Sequence, residues 1–158
     1  MSVDELDAAI ITLMTDVPRI GVYELARRLG VARGTVQSRL DRMLARGVIR
    51  DFAPTVDTAA LGFPVTAFVL AEITQSARQE GVMGSLTDVP EVLEVHTVTG
   101  EADLWIRAVA RSNVDLQRVV DRIAGLPAIL RTTTTIVLGT EIAYRATPLA
   151  RAAARPPS

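Results

Sequence analysis

The chain has 158 residues and a formal net charge of −1 at pH 7, and its 49% hydrophobic content allows one or two small packed domains. No cysteine and a single histidine exclude disulfides, cysteine nucleophiles and zinc sites, so we expect neither a metal nor a cofactor. No stretch of about 18 apolar residues occurs, and the N-terminus begins with acidic residues rather than a basic signal segment. We therefore expect a cytoplasmic protein with no membrane partner.

Three helices are predicted in the first 54 residues. The first opens with a capping box between Ser2 and Glu5, and the second ends at Gly30. The third carries an apolar stripe made of Val36, Leu40, Met43 and Leu44. Two short amphipathic helices joined by a glycine turn form a helix-turn-helix, the motif that reads DNA. We predict a winged form of this domain over residues 1–54, with residues 48–53 as a short strand, followed by a linker at 55–64.

The second half of the chain alternates strands and helices in the order βαββαβ. Strands are predicted at 65–74, 92–99, 103–110 and 130–138, with one helix at 77–88 and another that begins after Ser112. This order predicts a ferredoxin-like domain over residues 65–142, with both helices on one face of an antiparallel sheet, in an α+β chain. Residues 143–158 are rich in Ala, Arg and Pro without periodicity, which predicts a poorly ordered tail.

The predicted strands are apolar on both faces. Phe68 and Leu70 oppose Val69, and Trp105 opposes Ile106. Two helices cover only one face of such a sheet, so we expect the other face to pack against the same sheet of a second subunit. A homodimer follows from this pattern.

Positive charge is concentrated around the second and third helices. Residues 21–50 contain seven arginines and two acidic residues, and clustered cations neutralise DNA phosphates. We predict that the outward surface of the third helix and the arginines beside it contact DNA through Arg27, Arg28, Arg33, Gly34, Thr35, Gln37, Ser38, Arg39 and Arg42. In this set Gln37, Ser38 and Arg42 suit base edges, Arg27 and Arg28 suit phosphates, and Arg39 has an alternative role in tying the helix to the interior. The other interpretation is that these arginines form only a solvated face.

The chain resembles the Lrp/AsnC family of transcriptional regulators over about residues 3–142. The matching motifs are Leu6-Asp7, Glu24-Leu25-Ala26, Leu29-Gly30-Val31, Gly47-Val48-Ile49, Thr99-Gly100-x-x-Asp103 and Leu126-Pro127. The resemblance implies an N-terminal DNA-binding domain and a C-terminal domain that forms dimers, then tetramers or octamers, and binds an amino acid or related metabolite between dimers. The chain departs from the family pattern at Ala32, where a Ser or Thr commonly caps the recognition helix, and at Ala102, where an aromatic residue is common.

The resemblance also implies an effector site in the second domain, at the turn between its predicted strands 92–99 and 103–110 and in its last strand. Its candidate residues are Thr99, Gly100, Glu101, Ala102, Asp103, Thr132 and Thr134. A carboxylate beside exposed backbone N–H groups can hold both charged ends of an amino acid, with the ammonium on Asp103. The structural alternatives are that Gly100 and Asp103 only form a tight turn and that the threonines only pack in a strand. The small Ala102 favours a bulky apolar or aromatic amino acid.

We therefore predict a sequence-specific DNA-binding transcriptional regulator that responds to an amino acid or related metabolite and binds a pseudo-palindromic operator as a dimer. The alternative is an architectural DNA-binding protein whose C-terminal domain only oligomerises. An enzyme would need Ser38, His96 and Asp103 as a triad, but these lie in separate predicted domains without a nucleophile-elbow signature. We predict no catalytic site.

Overall fold

The computed structural model describes residues 3–74 and 82–154. The chain divides into two compact units, which we call the helical unit (Met1–Pro54 with Ile142–Ser158) and the sheet unit (Thr55–Glu141). In chain order the elements are α1 (Glu5–Asp16), α2 (Val22–Leu29), α3 (Arg33–Ala45), β1 (Val65–Ile73), α4 (Val82–Thr87), β2 (Val92–Thr97), β3 (Leu104–Ala110), α5 (Asn113–Ala124), β4 (Ile129–Ile136) and α6 (Thr147–Ala153). Within the described ranges no helix is long and apolar enough to cross a membrane.

The first three helices pack around one small core. Its fully enclosed members come from all three helices and are Ile10, Leu25, Ala26, Val36, Leu40 and Met43. Helix α2 ends because Gly30 adopts the left-handed conformation (φ 66°), which lets the chain turn into α3. Helix α3 begins after Ala32, which provides no side-chain hydrogen bond to the helix terminus. The predicted helix-turn-helix is thus confirmed, including its uncapped third helix.

The structure differs from the sequence prediction at the start of α1 and in the predicted wing. The N-cap of α1 is Asp4, whose capping box partner is Asp7, whereas the predicted cap Ser2 lies outside the described residues. The predicted wing is absent, since residues 48–53 form no strand. The backbone N–H groups of Val48 and Ile49 both donate to the carbonyl of Met43 and so close the end of α3 instead of joining a strand ladder.

A further difference concerns the predicted tail. Residues from 143 were expected to be poorly ordered, but α6 forms there and packs against α1. The hydroxyl groups of Thr15 and Thr147 are 2.9 Å apart, and Nε of Arg151 donates to the hydroxyl of Thr12 over 3.1 Å. The helical unit is therefore built from two separate stretches of the chain.

The sheet unit has the predicted four-stranded antiparallel sheet, in the order β2-β3-β1-β4. Each predicted strand is found within about two residues of its expected ends. The core lies between the sheet and helices α4 and α5, where Val69, Ile106 and Val119 are fully buried. Helix α5 begins after Ser112, whose hydroxyl accepts from the Asp115 N–H as predicted. The first part of the predicted helix at 77–88, residues 77–81, lies outside the described ranges.

Within the described residues no helix of the sheet unit covers the opposite face of the sheet, which carries aromatic and charged side chains. Phe68 and Trp105 stack there with ring centroids 4.4 Å apart. The His96 ring lies 5.4 Å from that of Trp105, and Leu70 beside it is 36% exposed. We call this surface the open sheet face.

Candidate nucleic-acid and effector sites

The outward surface of α3 presents polar groups that are free of the core. Because Val36, Leu40 and Met43 are buried, the helix turns the opposite side to solvent. The exposed residues of this recognition surface are Arg33, Gly34, Thr35, Gln37 and Ser38. The Gln37 amide donates to a carboxylate oxygen of Asp41 over 2.8 Å, whereas Arg33 makes no ion pair within the described part of the chain. Amide, hydroxyl and guanidinium groups in this arrangement are suited to base edges and phosphates.

Arg27 and Arg28 share one acidic partner. Each places a guanidinium nitrogen 2.7 Å from Oε1 of Glu24, while their side chains stay 64% and 43% exposed. The hydrogen bonds from Arg27 and then Arg28 lower the pKa of Glu24 to about 2. The two arginines are accessible to a phosphate, but Glu24 offsets one of their two charges.

Arg39 and Arg42 point toward the start of α1 rather than away from the protein. Nη1 of Arg39 contacts both Asp4 and, over 3.2 Å, Oδ1 of Asp7. Nη2 of Arg42 lies 3.2 Å from both carboxylate oxygens of Asp7, which is 1% exposed. The hydrogen bond from Arg39 is also the main reason why the pKa of Asp4 is lowered. For Arg39 this is the interior role considered above, and Arg42 has the same partner.

The turn between β2 and β3 holds most of the candidate effector residues. Gly100 has φ 119°, a conformation that side chains rarely adopt, although an added Cβ would meet nothing within 4 Å. Asp103 joins the turn to the end of β1: one carboxylate oxygen accepts from the Ile73 N–H over 2.9 Å, and its own N–H donates to Ala71 over 3.0 Å. Thr99, Gly100 and Glu101 are exposed, while Ala102 and Asp103 are half-buried.

Thr132 lies at the same end of the sheet as this turn. It pairs with Ala71 on β1, and Ala71 pairs on its other side with Leu104, the residue after Asp103. Strand spacing therefore places Thr132 roughly 10 Å from the start of β3. Thr134 pairs with Val69, one pleat further from this end, and both threonines are half-buried. The segment that follows β1 at this end, residues 75–81, is outside the described ranges.

The residues considered for an enzyme have other partners. Nε2 of His96 lies 3.4 Å from Oε2 of Glu94, and the other oxygen of Glu94 accepts from Arg107 over 3.1 Å. Asp103 bonds the backbone of β1, and Ser38 belongs to the helical unit. The described ranges also contain no group of three His, Asp or Glu side chains placed to hold a metal ion.

Sequence reasoning missed the acidic partners of the arginines. Asp7 lies within the Leu6-Asp7 motif, but nothing in its neighbourhood along the chain indicates contacts with residues more than 30 positions away. Glu24 precedes Arg27 and Arg28 by three and four positions, and this helical spacing is a signal that could have found the pair.

Comparisons with known proteins match both units. Residues 3–44 match the family model of the AsnC-type helix-turn-helix domain, and residues 66–147 match that of the Lrp/AsnC ligand binding domain. The HTH-type transcriptional regulator FL11 of Pyrococcus horikoshii is 29% identical over 137 residues, which cover 87% of this chain and 90% of the relative.

Solved structures show the same architecture. AsnC of E. coli has a TM-score of 0.84 at 28% identity and matches 94% of this chain and 100% of its own. The feast or famine regulatory protein Rv3291c of M. tuberculosis, solved in complex with L-methionine, has a TM-score of 0.81 at 26% identity over 92% of this chain and 98% of its own.

Proposed function

This chain belongs to the Lrp/AsnC family of transcriptional regulators, and from that premise we propose that it binds a pseudo-palindromic operator as a dimer under the control of an amino acid. The observation that carries the proposal is the segregation of charge between the two units. The helical unit contains eleven arginines and seven acidic residues, whereas the sheet unit contains six arginines and eleven acidic residues. A chain that is nearly neutral as a whole thus concentrates its positive charge where the helix-turn-helix lies.

The DNA contacts are assigned to the recognition surface of α3 and to its neighbours on α2. Gln37, Ser38 and Arg33 supply the donors for base edges, and Thr35 and Gly34 allow close approach of the helix start to the backbone. Arg27 and Arg28 supply phosphate contacts because their guanidinium groups remain accessible beside Glu24. Such a regulator acts where its DNA lies, which supports the cytoplasm as its compartment.

The open sheet face is the proposed dimer contact. Its stacked Phe68 and Trp105 and the half-exposed Leu70 form an apolar surface that a helix does not cover. Pairing of two such faces about a twofold axis would bury this surface in both copies and present two α3 helices. Half-sites of the operator would then be spaced by about one helical turn or a small multiple of it. Further assembly of dimers into tetramers or octamers follows the family resemblance.

The effector pocket is assigned to the turn at 99–103 with Thr132 and Thr134. Asp103 has one carboxylate oxygen on the β1 backbone, and a ligand ammonium would be held by the carboxylate charge. The L-methionine complex of Rv3291c supports an amino acid as the ligand class. Ala102, smaller than an aromatic residue, leaves room for a large apolar side chain.

Two measurements test this proposal. The wild-type chain is used to select duplexes from a random-sequence pool, and the proposal expects a pseudo-palindromic consensus. Calorimetric titration with the amino acids, one at a time, is then made on wild type, Asp103→Asn and the control Asp121→Asn, an exposed acid of α5. Asparagine preserves an acceptor for the Ile73 N–H but removes the charge, so only Asp103→Asn should lose binding.

The alternative of an architectural protein makes the opposite prediction. The contact between Asp103 and Ile73 is the observation that favours it, because this contact gives the Asp103 side chain a structural role in joining the turn to β1. In that case the titrations give no heat, and no amino acid raises the melting temperature.

A further inference from the structure

Asp7 is a buried carboxylate at the point where α1 meets α3. Its side chain is 1% exposed, and its oxygens receive Arg39 and Arg42 over 3.2 Å and the Asp4 N–H over 3.4 Å. A buried charge is tolerated only where it is paired and hydrogen-bonded. The charge of Asp7 is therefore balanced by two arginines of α3, which lie 32 and 35 positions further along the chain.

The two arginines connect one side of α3 to Asp7 of α1 at successive turns of the helix. They are three residues apart, so they lie one above the other on the helix beside the recognition surface. Arg42 is 35% exposed, but its Nη2 is engaged by both oxygens of Asp7 and its Nε is buried. The contacts restrain the rotation of α3 about its own axis at two points, in addition to the buried core residues of the helix.

Rotation of α3 matters for any group on its outer surface. Side-chain ends lie about 5–6 Å from a helix axis, so a rotation by about 20° moves them by roughly 2 Å. A hydrogen bond spans only about 2.7–3.2 Å, and a shift of this size breaks every base contact at once.

We propose that Asp7 is a positioning residue for DNA recognition and that Arg42 acts on DNA through Asp7 rather than by contacting a base. This inference rests on the proposed DNA-binding function. Base contacts are assigned to Gln37, Ser38 and Arg33. The ion pairs of Asp7 with Arg39 and Arg42 orient the helix that carries them.

The experiment compares wild type, Asp7→Asn, Arg42→Ala and the double variant. The probes are the duplex that the wild-type chain selects from a random pool, the same duplex with each base pair substituted in turn, and an unrelated duplex of equal length. Fluorescence anisotropy is measured over a range of salt concentrations. Arg33→Ala serves as the matched control for a direct contact.

We expect both single variants to lose about tenfold or more in affinity for the selected duplex and to discriminate less at several base positions together. The affinity of Arg42→Ala for the unrelated duplex and its salt slope should stay within about twofold of wild type. Asp7→Asn leaves Arg39 and Arg42 without their shared acid, so it should bind the unrelated duplex at least as tightly as wild type. The double variant should be no weaker than the weaker single variant, because both changes break one network. Arg33→Ala should instead reduce the salt slope or relax a single position.

Several results would overturn the inference. Relaxed preference at one base position in Arg42→Ala alone means that Arg42 contacts that base, and a salt slope reduced by about one means that it contacts a phosphate. Additive losses in the double variant also contradict a shared network. If Asp7→Asn does not fold, the base-position profile of Arg42→Ala still decides between these roles. If the wild-type chain selects no sequence, the proposed function itself fails, which is a distinct result.

Discussion

Removing α6 tests whether the helical unit depends on a distant part of the chain. A chain that ends at Glu141 keeps the whole sheet unit but loses the helix packed on α1. The loss includes the contacts from Thr147 to Thr15 and from Arg151 to Thr12. Exposed hydrogen bonds of this kind contribute about 0.5–1 kcal/mol each, and α6 buries no residue completely. We therefore expect the helical unit to lose about 1–2 kcal/mol.

This loss is measurable against the stability of so small a unit. About 0.05–0.15 kcal/mol per residue gives roughly 4–10 kcal/mol for the helical unit, and each kcal/mol shifts the melting temperature by about 4–8 °C. Circular dichroism follows the helices of both units, while the fluorescence of Trp105, the single tryptophan, follows the sheet unit. The truncation should lower the melting temperature seen by circular dichroism and leave the tryptophan transition in place.

A substitution on the exposed side of α6 serves as the control for the truncation, because it keeps the helix and its contacts with α1. Leu149 on α6 is 71% exposed, so Leu149→Ala should change the stability by less than about 0.5 kcal/mol. Unchanged melting of the truncated chain would refute the contribution of α6. An equal fall of the tryptophan transition would refute the independence of the sheet unit.

Three further outcomes follow from the described contacts. Glu24→Gln removes the acid shared by Arg27 and Arg28, so affinity for unrelated duplex DNA should rise several-fold at low salt in anisotropy titrations; no rise would mean that these arginines do not contact DNA. Gly100→Val should lower the stability of the sheet unit by about 1–3 kcal/mol in thermal melts, and Gly100→Ala should cost a similar amount because the strain lies in the backbone; a much milder alanine variant would point to a steric cause instead. Because the pKa of Glu24 is lowered from 4.5 to about 2 in the fold, its stabilising contribution is complete above pH 4.5 and is lost as the pH falls toward 2. The free energies of unfolding of wild type and Glu24→Gln, measured by denaturant titration, should therefore converge as the pH falls toward 2. A difference between them that does not change with pH would contradict this.

The sheet unit could be predicted from the sequence almost completely, because its signals are local. Apolar strands bounded by glycine and proline mark their own ends, and Ser112 begins α5 through a bond to a residue three positions away. The alternation of Phe68 and Leu70 with Val69 also predicted an apolar face that the helices leave uncovered, although not which of the two faces it is. The candidate effector turn came from the family resemblance rather than from such signals.

The features that were missed depend on contacts between distant residues. The sequence Ser2-x-x-Glu5 satisfies the capping pattern as well as Asp4-x-x-Asp7 does, and burial of Asp7 against α3 favours the second. Helix α6 has no apolar stripe, and a helix of 7 residues has too few bonds to be stable alone, so its packing on α1 determines it. The same separation along the chain explains why the contact between Arg42 and Asp7 was not predicted.

The helical unit consists of one segment that precedes the sheet unit in the sequence and one that follows it, so the ribosome synthesises these two segments at different times. Roughly 90 residues separate its first stretch from α6, which corresponds to about 5–20 s of translation at ordinary elongation rates. During this interval the sheet unit is synthesised, while the helical unit still lacks α6. A chain that terminates prematurely after Glu141 thus contains the whole sheet unit but lacks the helix that packs on α1.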